Sequence, residues 1–155
     1  MNNFNKVYKS YSVGLVVIDA CIGIKWFSSV NEEKVEYATL IQRKNINLEL
    51  EIVIPDLFIY EILNTLLIKK KSSVDDLKLC RKALSLMNLN IVIPDDKLLD
   101  LAIELANILN LTYYDGIYLA LAKRMDTILI TEDKKILSCS HKCNFIKSLE
   151  YVQNI

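Results

Sequence analysis

Four acidic residues far apart along the chain, Asp19, Glu61, Asp115 and Asp133, stand in settings that ordinary surface carboxylates do not share. Asp19 follows directly on Leu15-Val-Val-Ile18, and Asp133 follows closely on Thr127-Ile-Leu-Ile130. Both are short apolar runs rich in β-branched residues, the pattern of strands buried on both faces. Glu61 lies within residues 57–68, a stretch apolar almost all round and therefore expected to form a buried helix. A lone buried carboxylate is costly, so Glu61 with Asn64 three residues on implies a polar pocket there. Asp115 opens a helix at Tyr114-Asp115-Gly-Ile-Tyr118, with Tyr118 on its face.

Each acid also has a purely structural reading. Asp19 and Asp133 suit helix or turn caps, Thr112-x-x-Asp115 fits a capping box, and Glu61 can pair with a distant lysine. Their joint placement argues for more, because the segments 15–19, 57–68, 114–122 and 127–133 contain no Lys or Arg. Carboxylates brought together repel unless a cation neutralises them. Hard oxygen donors suit Mg²⁺ or Mn²⁺ rather than zinc or copper. A site of that kind positions a phosphodiester, activates a water and stabilises the departing oxygen, so the expected chemistry is phosphate-ester hydrolysis.

Placing the acids together falls to the fold. Further strand-like runs occur at 51–54 and 91–93, with a fainter one at 145–146. Helical patterns cover 20–27, 32–44, 56–70, 75–87, 96–109 and 113–124, two of them entered through Pro55 and Pro94. Strands alternating with helices imply an α/β fold, a three-layer α/β/α sandwich around a central parallel sheet of four to five strands. In open parallel sheets, sites form beyond the carboxyl ends of the strands, where Asp19 and Asp133 fall.

The composition agrees with one domain over 13–155, preceded by a polar, flexible tail at 1–12. Hydrophobic residues make up 52% of 155, which excludes a disordered chain, and three Gly with two Pro leave little for long linkers. A positive mean hydropathy suggests apolar surface covered by a second copy or a partner. Nineteen Lys and Arg balance nineteen Asp and Glu, unlike a general nucleic-acid coat protein. Cys21, Cys80, Cys139 and Cys143 form no disulfide framework, and Cys139-Ser-His141-Lys-Cys143 lacks the second ligand pair of a zinc site. No run is long enough to span a bilayer and no export signal is evident, so the cytoplasm is expected. Lys69-Lys70-Lys71, at a helix carboxyl end, is either a solvated cluster or a phosphate contact.

Four segments in order carry a family resemblance: Val17-Ile18-Asp19-Ala20 with Lys25-Trp26-Phe27; Pro55-Asp56-Leu57 with Tyr60-Glu61 and Asn64; Tyr114-Asp115-Gly-Ile-Tyr118-Leu-Ala-Leu-Ala122; and Leu129-Ile-Thr131-Glu-Asp133. From residue 15 to about 150 the chain resembles PIN-domain ribonucleases, in particular the VapC-type toxins of VapBC toxin–antitoxin pairs. By that resemblance Asp19, Glu61, Asp115 and Asp133 form an acidic quartet, with Asp19 and Asp115 the first choice as direct ligands and Asp133 a further one. Asn64 and Thr131 fall at supporting polar positions. The resemblance implies metal-dependent endoribonuclease activity with Mg²⁺ or Mn²⁺, an RNA substrate, a homodimer and a small antitoxin partner. Gly116 departs from it by standing where Ala is expected, which would loosen the helix start.

Two rival readings remain on the same residues. A receiver-like Mg²⁺-binding signalling domain would need paired acids after the first strand, and there is only Asp19; Asp95-Asp96 after the third strand would supply the phosphoacceptor. A catalytically silent PIN-fold binding module would leave the cost of four gathered acids unexplained.

Overall fold

The computed structural model describes residues 14–155. The tail expected at residues 1–12 lies outside the described residues. Five strands, β1 (Gly14–Ile18), β2 (Leu50–Pro55), β3 (Asn90–Val92), β4 (Ile128–Ile130) and β5 (Ile146–Lys147), form one sheet in the order β3-β2-β1-β4-β5. Every neighbouring pair is parallel. Val16, Val17 and Ile18 are all fully buried, although consecutive strand residues point to opposite faces. Both faces are therefore covered, as an unbroken apolar strand requires. The expected α/β/α architecture is the one observed.

Between the strands run α1 (Ala20–Ile24), α2 (Val35–Ile46), α3 (Leu57–Ile68), α4 (Val74–Leu86), α5 (Asp96–Leu109), α6 (Tyr113–Arg124) and α7 (Lys134–Ser138), with a closing 3₁₀ turn at Leu149–Asn154. Helices α5 and α6 match the expected ranges, because each has a side-chain cap that fixes its start. Asp95 accepts from Leu98 N, and Thr112 and Asp115 complete a reciprocal capping box. Helix α2 begins three residues later than expected. Lys34 holds a left-handed φ of 58°, and Glu32 and Glu33 are drawn out of the helix by ion-pair and backbone contacts from Lys25 and Lys70. Helix α7 replaces the single turn expected after Asp133, and the last 3₁₀ turn has no counterpart among the expected elements.

Two interfaces bring the site's helices into place. Gly23 of α1 lies against α3, where an added Cβ would sit 2.4 Å from Phe58 Cζ. Gly116 of α6 lies against α5, where a Cβ would sit 2.4 Å from the Ala102 carbonyl oxygen and 3.0 Å from Ala106 Cβ. The glycine at 116 thus permits close helix packing, correcting the expectation that it loosens the start of α6. Helix α6 in turn lies against β1, β2 and β4, which seats its first turn above the carboxyl end of the sheet.

Candidate active site

Strand β1 is central in the sheet, and its chain direction delivers Asp19 to the carboxyl edge beside β4. The Asp19 amide donates to Ile130 O at 3.0 Å, fixing the backbone there. The side chain is only 8% exposed and caps α1. Oδ2 accepts from Thr131 Oγ1 at 2.6 Å and from Cys21 Sγ at 3.1 Å, while Oδ1 takes a long bond of 3.4 Å from Cys21 N. Burial pushes the Asp19 carboxyl above its ordinary range; these hydrogen bonds offset part of that, and the Asp115 charge adds to it.

Thr131, fully buried, joins two of the acids through one hydroxyl. Its Oγ1 donates to Asp19 and accepts from Asp133 N at 2.9 Å. Asp133 itself is exposed, and its Oδ1 caps α7 by accepting from Lys135 N and Ile136 N.

Glu61 projects from the second turn of α3 and accepts from Tyr118 Oη of α6 at 2.5 Å. Burial raises its carboxyl as well, partly offset by the tyrosine and reinforced by the charges of Asp19 and Asp115. Asp115 binds back to Thr112 N through Oδ2 at 3.1 Å. Three of the four acids, from three separate elements, therefore share one electrostatic environment. The fourth is tied to them through Thr131.

The expected burial of α3 on all sides is not what the structure shows. Phe58, Ile62 and Leu66 are buried, whereas Tyr60, Leu67 and Ile68 are exposed and Glu61 is half-buried at the boundary. Asn64 is exposed and lines a shallow concavity with Leu67, Val74, Lys78 and Arg81; among the described residues no hydrogen bond joins it to the acids. Lys70, from the basic cluster after α3, is held by Glu32 at 2.8 Å and by Val30 O, while Lys69 and Lys71 are exposed. Asp95, the phosphoacceptor of the receiver reading, instead caps α5 and pairs with Arg124.

Two site residues escaped the sequence reading. Cys21 touches Asp19 and Thr131 Oγ1 and accepts from Glu132 N at 3.3 Å. Burial and the adjoining Asp19 charge hold its thiol protonated. The available signal was its place two residues after a capping Asp, within reach of that carboxylate. Glu132 is the other. Its carboxylate bridges Lys34 Nζ at 2.6 Å and Leu149 N at 2.8 Å, fastening the Thr131–Asp133 turn to α2 and the last 3₁₀ turn.

No ion pair reaches Asp19, Glu61, Asp115 or Asp133 among the described residues; the cations pair with Glu32, Glu132, Glu150 and Asp95. A family model of the PIN domain matches residues 16–141. The chain belongs to the PIN domain family. No curated protein matches this PIN domain in sequence. Among solved structures, its fold is similar to a toxin–antitoxin complex from Klebsiella pneumoniae. That match has a TM-score of 0.63 and 19% identity, covering 86% of this chain and 97% of that one. It is also similar to PAE2754 from Pyrobaculum aerophilum, with a TM-score of 0.63 and 20% identity over 90% and 92% of the two chains. At that identity the likeness concerns the PIN fold alone.

A divalent ion fits this PIN domain by donor chemistry. Asp19 and Asp115 present carboxylate oxygens that lack a lysine or arginine partner, and burial makes the Asp19 charge costly without a cation. They do not form a closed cage. Among the described residues no three His, Cys, Asp or Glu side chains stand close enough to enclose a cation. One or two carboxylates completed by waters and a substrate phosphate are the usual Mg²⁺ arrangement, so an open pair suffices.

Proposed function

We propose that this PIN domain is a metal-dependent endoribonuclease that hydrolyses RNA phosphodiester bonds and serves as the toxin of a toxin–antitoxin pair. The observation that carries the reading is Asp19, a buried carboxylate at the end of the central strand. It lies within the field of Asp115 and Glu61, and no cationic side chain attends any of the three. Asp19 and Asp115 would hold Mg²⁺ or Mn²⁺, with Asp133 supplying its uncapped oxygen or ordering a ligand water. The bound ion would polarise the phosphodiester and lower the pKa of an attacking water. Thr131 and Cys21 hold Asp19 in one rotamer. Tyr118 holds Glu61 through Oε2, leaving Oε1 to orient the water and take its proton.

The partner assignments rest on surface chemistry and on the nature of the similar structure. Helices α3 and α4 and the residue after β3 expose Tyr60, Leu67, Ile68, Leu79, Leu86 and Ile93, large apolar side chains that a partner would cover. That face suits a homodimer contact and a small antitoxin, and the Klebsiella structure is a toxin–antitoxin complex. Among the described residues no helix is long and apolar enough to cross a membrane. We place the reaction in the cytoplasm and assign residues 13–155 to one domain.

The test is incubation of purified protein with total RNA and Mg²⁺ or Mn²⁺, beside Asp19→Asn and Asp115→Asn. Metal-dependent internal cleavage is expected, lost in both variants while their circular dichroism is unchanged. Equal cleavage by the parent protein and both variants would defeat the assignment.

A further inference from the structure

The turn that carries Thr131 and Asp133 lies beyond Ile130, the last residue of β4. Thr131 N still donates to Lys147 O at 3.0 Å, but the next two amides are held by side chains. Glu132 N donates to Cys21 Sγ, and Asp133 N to Thr131 Oγ1. The Glu132 carboxylate anchors the turn from outside. Its Oε1 accepts from Leu149 N at 2.8 Å, and its Oε2 from Lys34 Nζ at 2.6 Å. Lys34 Nζ also reaches Glu150 Oε1 at 2.7 Å. One ammonium thus ties the turn to the start of α2 and to the closing 3₁₀ turn.

Lys34 is an unexpected residue for its place. Its φ of 58° and ψ of 31° are left-handed, a conformation that glycine takes freely and lysine only under strain. Its side chain makes no cap bond to α2, so helix capping does not account for it. Strain kept in a fold points to a role for the residue that bears it. What this side chain supplies is a cation spanning two carboxylates. The two glutamates hold its ammonium above the ordinary range, and it holds the Glu150 carboxyl below its own. With 30% of the lysine side chain exposed, such pairs add little to global stability, so the effect is local.

We propose that Lys34 is a positioning residue of the active site, acting through Glu132 to set the Thr131–Asp133 turn against Asp19. The inference rests on the ribonuclease reading and adds to it a support outside the acidic quartet. Displacing the turn moves Thr131 Oγ1, the hydroxyl that fixes Asp19 Oδ2 at 2.6 Å, and carries Asp133 with it. Lys34 itself pairs only with Glu132 and Glu150 among the described residues. Its loss should therefore loosen the hold on a divalent ion without removing a ligand.

Isothermal titration of the full chain with Mn²⁺ reads this directly, beside RNA cleavage at limiting and saturating Mn²⁺. Lys34→Gly suits the left-handed backbone but removes the bridge, and should weaken Mn²⁺ binding about tenfold. Lys34→Arg restores a cation and should stay within about threefold of the parent. Glu132→Gln keeps an acceptor for Leu149 N but gives up the charge that Lys34 meets, so its loss should be similar. The double variant should bind no more weakly than either single one, because both remove the same interaction. Saturating Mn²⁺ should restore cleavage, since no catalytic group has been lost. Melting in EDTA should change little.

The proposal is overturned if folded Lys34→Gly binds Mn²⁺ as tightly as the parent, or if Arg fails as badly as Gly. It is equally overturned if the two losses add in the double variant. Should Lys34→Gly not fold, Glu132→Gln carries the same test. A parent chain that neither binds Mn²⁺ nor cleaves RNA would sink the ribonuclease reading and this inference with it. A parent that does both, matched in affinity by Lys34→Gly, would remove the role of Lys34 alone.

Discussion

Replacing Asp19 with Asn separates what its carboxylate does for the fold from what it does for the site. In EDTA the carboxylate is a liability, since burial raises its pKa and Asp115 and Glu61 repel it. Asn keeps the volume and one acceptor for Thr131 Oγ1, but turns its amide toward Cys21 N, whose bond to Asp19 is already long at 3.4 Å. Losing that bond costs about 0.5–1 kcal/mol. Removing a buried charge gives back about 1.4 kcal/mol for each unit by which the folded pKa exceeds the unfolded one. The net should be a gain at pH 7, read as a higher Tm of the Asn variant in EDTA. The pH dependence has a definite sign. With a folded pKa raised above its ordinary value of 3.8, the penalty is absent below that value and develops as pH rises through the folded pKa. The advantage of Asn should therefore grow as pH rises from below 3.8 through the folded pKa. Adding Mn²⁺ should stabilise the parent by mass action and leave the variant nearly unmoved, closing or reversing the gap. Thermal melts across pH, with EDTA or Mn²⁺, measure all of this. An Asn variant less stable than the parent in EDTA at pH 7, or equal stabilisation of both by Mn²⁺, would refute the reasoning.

Thr131→Val keeps the shape but strands Asp133 N and frees the Asp19 rotamer. It should cost about 1–3 kcal/mol in urea unfolding and weaken Mn²⁺ binding about 10–100-fold by calorimetry, with Thr131→Ser close to the parent. Gly116→Ala drives a Cβ to 2.4 Å from the Ala102 carbonyl oxygen, so α6 must back away from α5. Destabilisation of about 1–3 kcal/mol is expected, with a loss of activity, because α6 carries both Asp115 and Tyr118. Glu32→Gln leaves the largely buried Lys25 without its anion and should cost about 2–4 kcal/mol. Burial alone would raise the Glu32 carboxyl, but the Lys70 and Lys25 hydrogen bonds outweigh it and hold it below its ordinary value of 4.5. Its stabilising effect is thus present above pH 4.5 and lost as pH falls through the lower folded value, so the cost of Glu32→Gln should shrink on acidification.

Most of the framework was legible because it is written in local patterns. The runs at 15–18, 51–54 and 127–130 are too apolar for half-exposed strands, and each became a buried parallel strand. The capping box at Thr112 and Asp115 was readable from two residues. What the sequence hid is long-range. Nothing local to 28–34 announces that Lys25, Glu32 and Lys70 will pin that loop and delay α2. The periodicity of α3 could not say that its carboxyl half stays uncovered, because apolar surface awaiting a partner and apolar surface in a core have the same composition. Glycine 116 looked like a flaw in α6 until α5 was seen lying against it. Asn64 illustrates the limit of face arguments: three residues from Glu61, it still falls over the rim and into the concavity shared with α4.

The distribution of charge is the ground for proposing a working site here rather than a cluster of caps. Asp19, Asp115 and Asp133 do cap their helices, so the structural reading of each is correct as far as it goes. Capping, though, needs only an oxygen acceptor, which Ser, Thr or Asn supplies without a charge. Glu61 caps nothing; it takes the hydroxyl of Tyr118 at the half-buried edge of α3. Meanwhile the chain spends Lys25, Lys34, Lys70 and Arg124 on Glu32, Glu132, Glu150 and Asp95, of which Glu132 adjoins Asp133. Glu132 sits between Thr131 and Asp133 and is neutralised, while its neighbour Asp133 is not. A fold selected for stability alone would have no reason to pair the intervening glutamate and leave a buried aspartate bare. That selectivity is what the proposed site would require in order to hold a cation from solution.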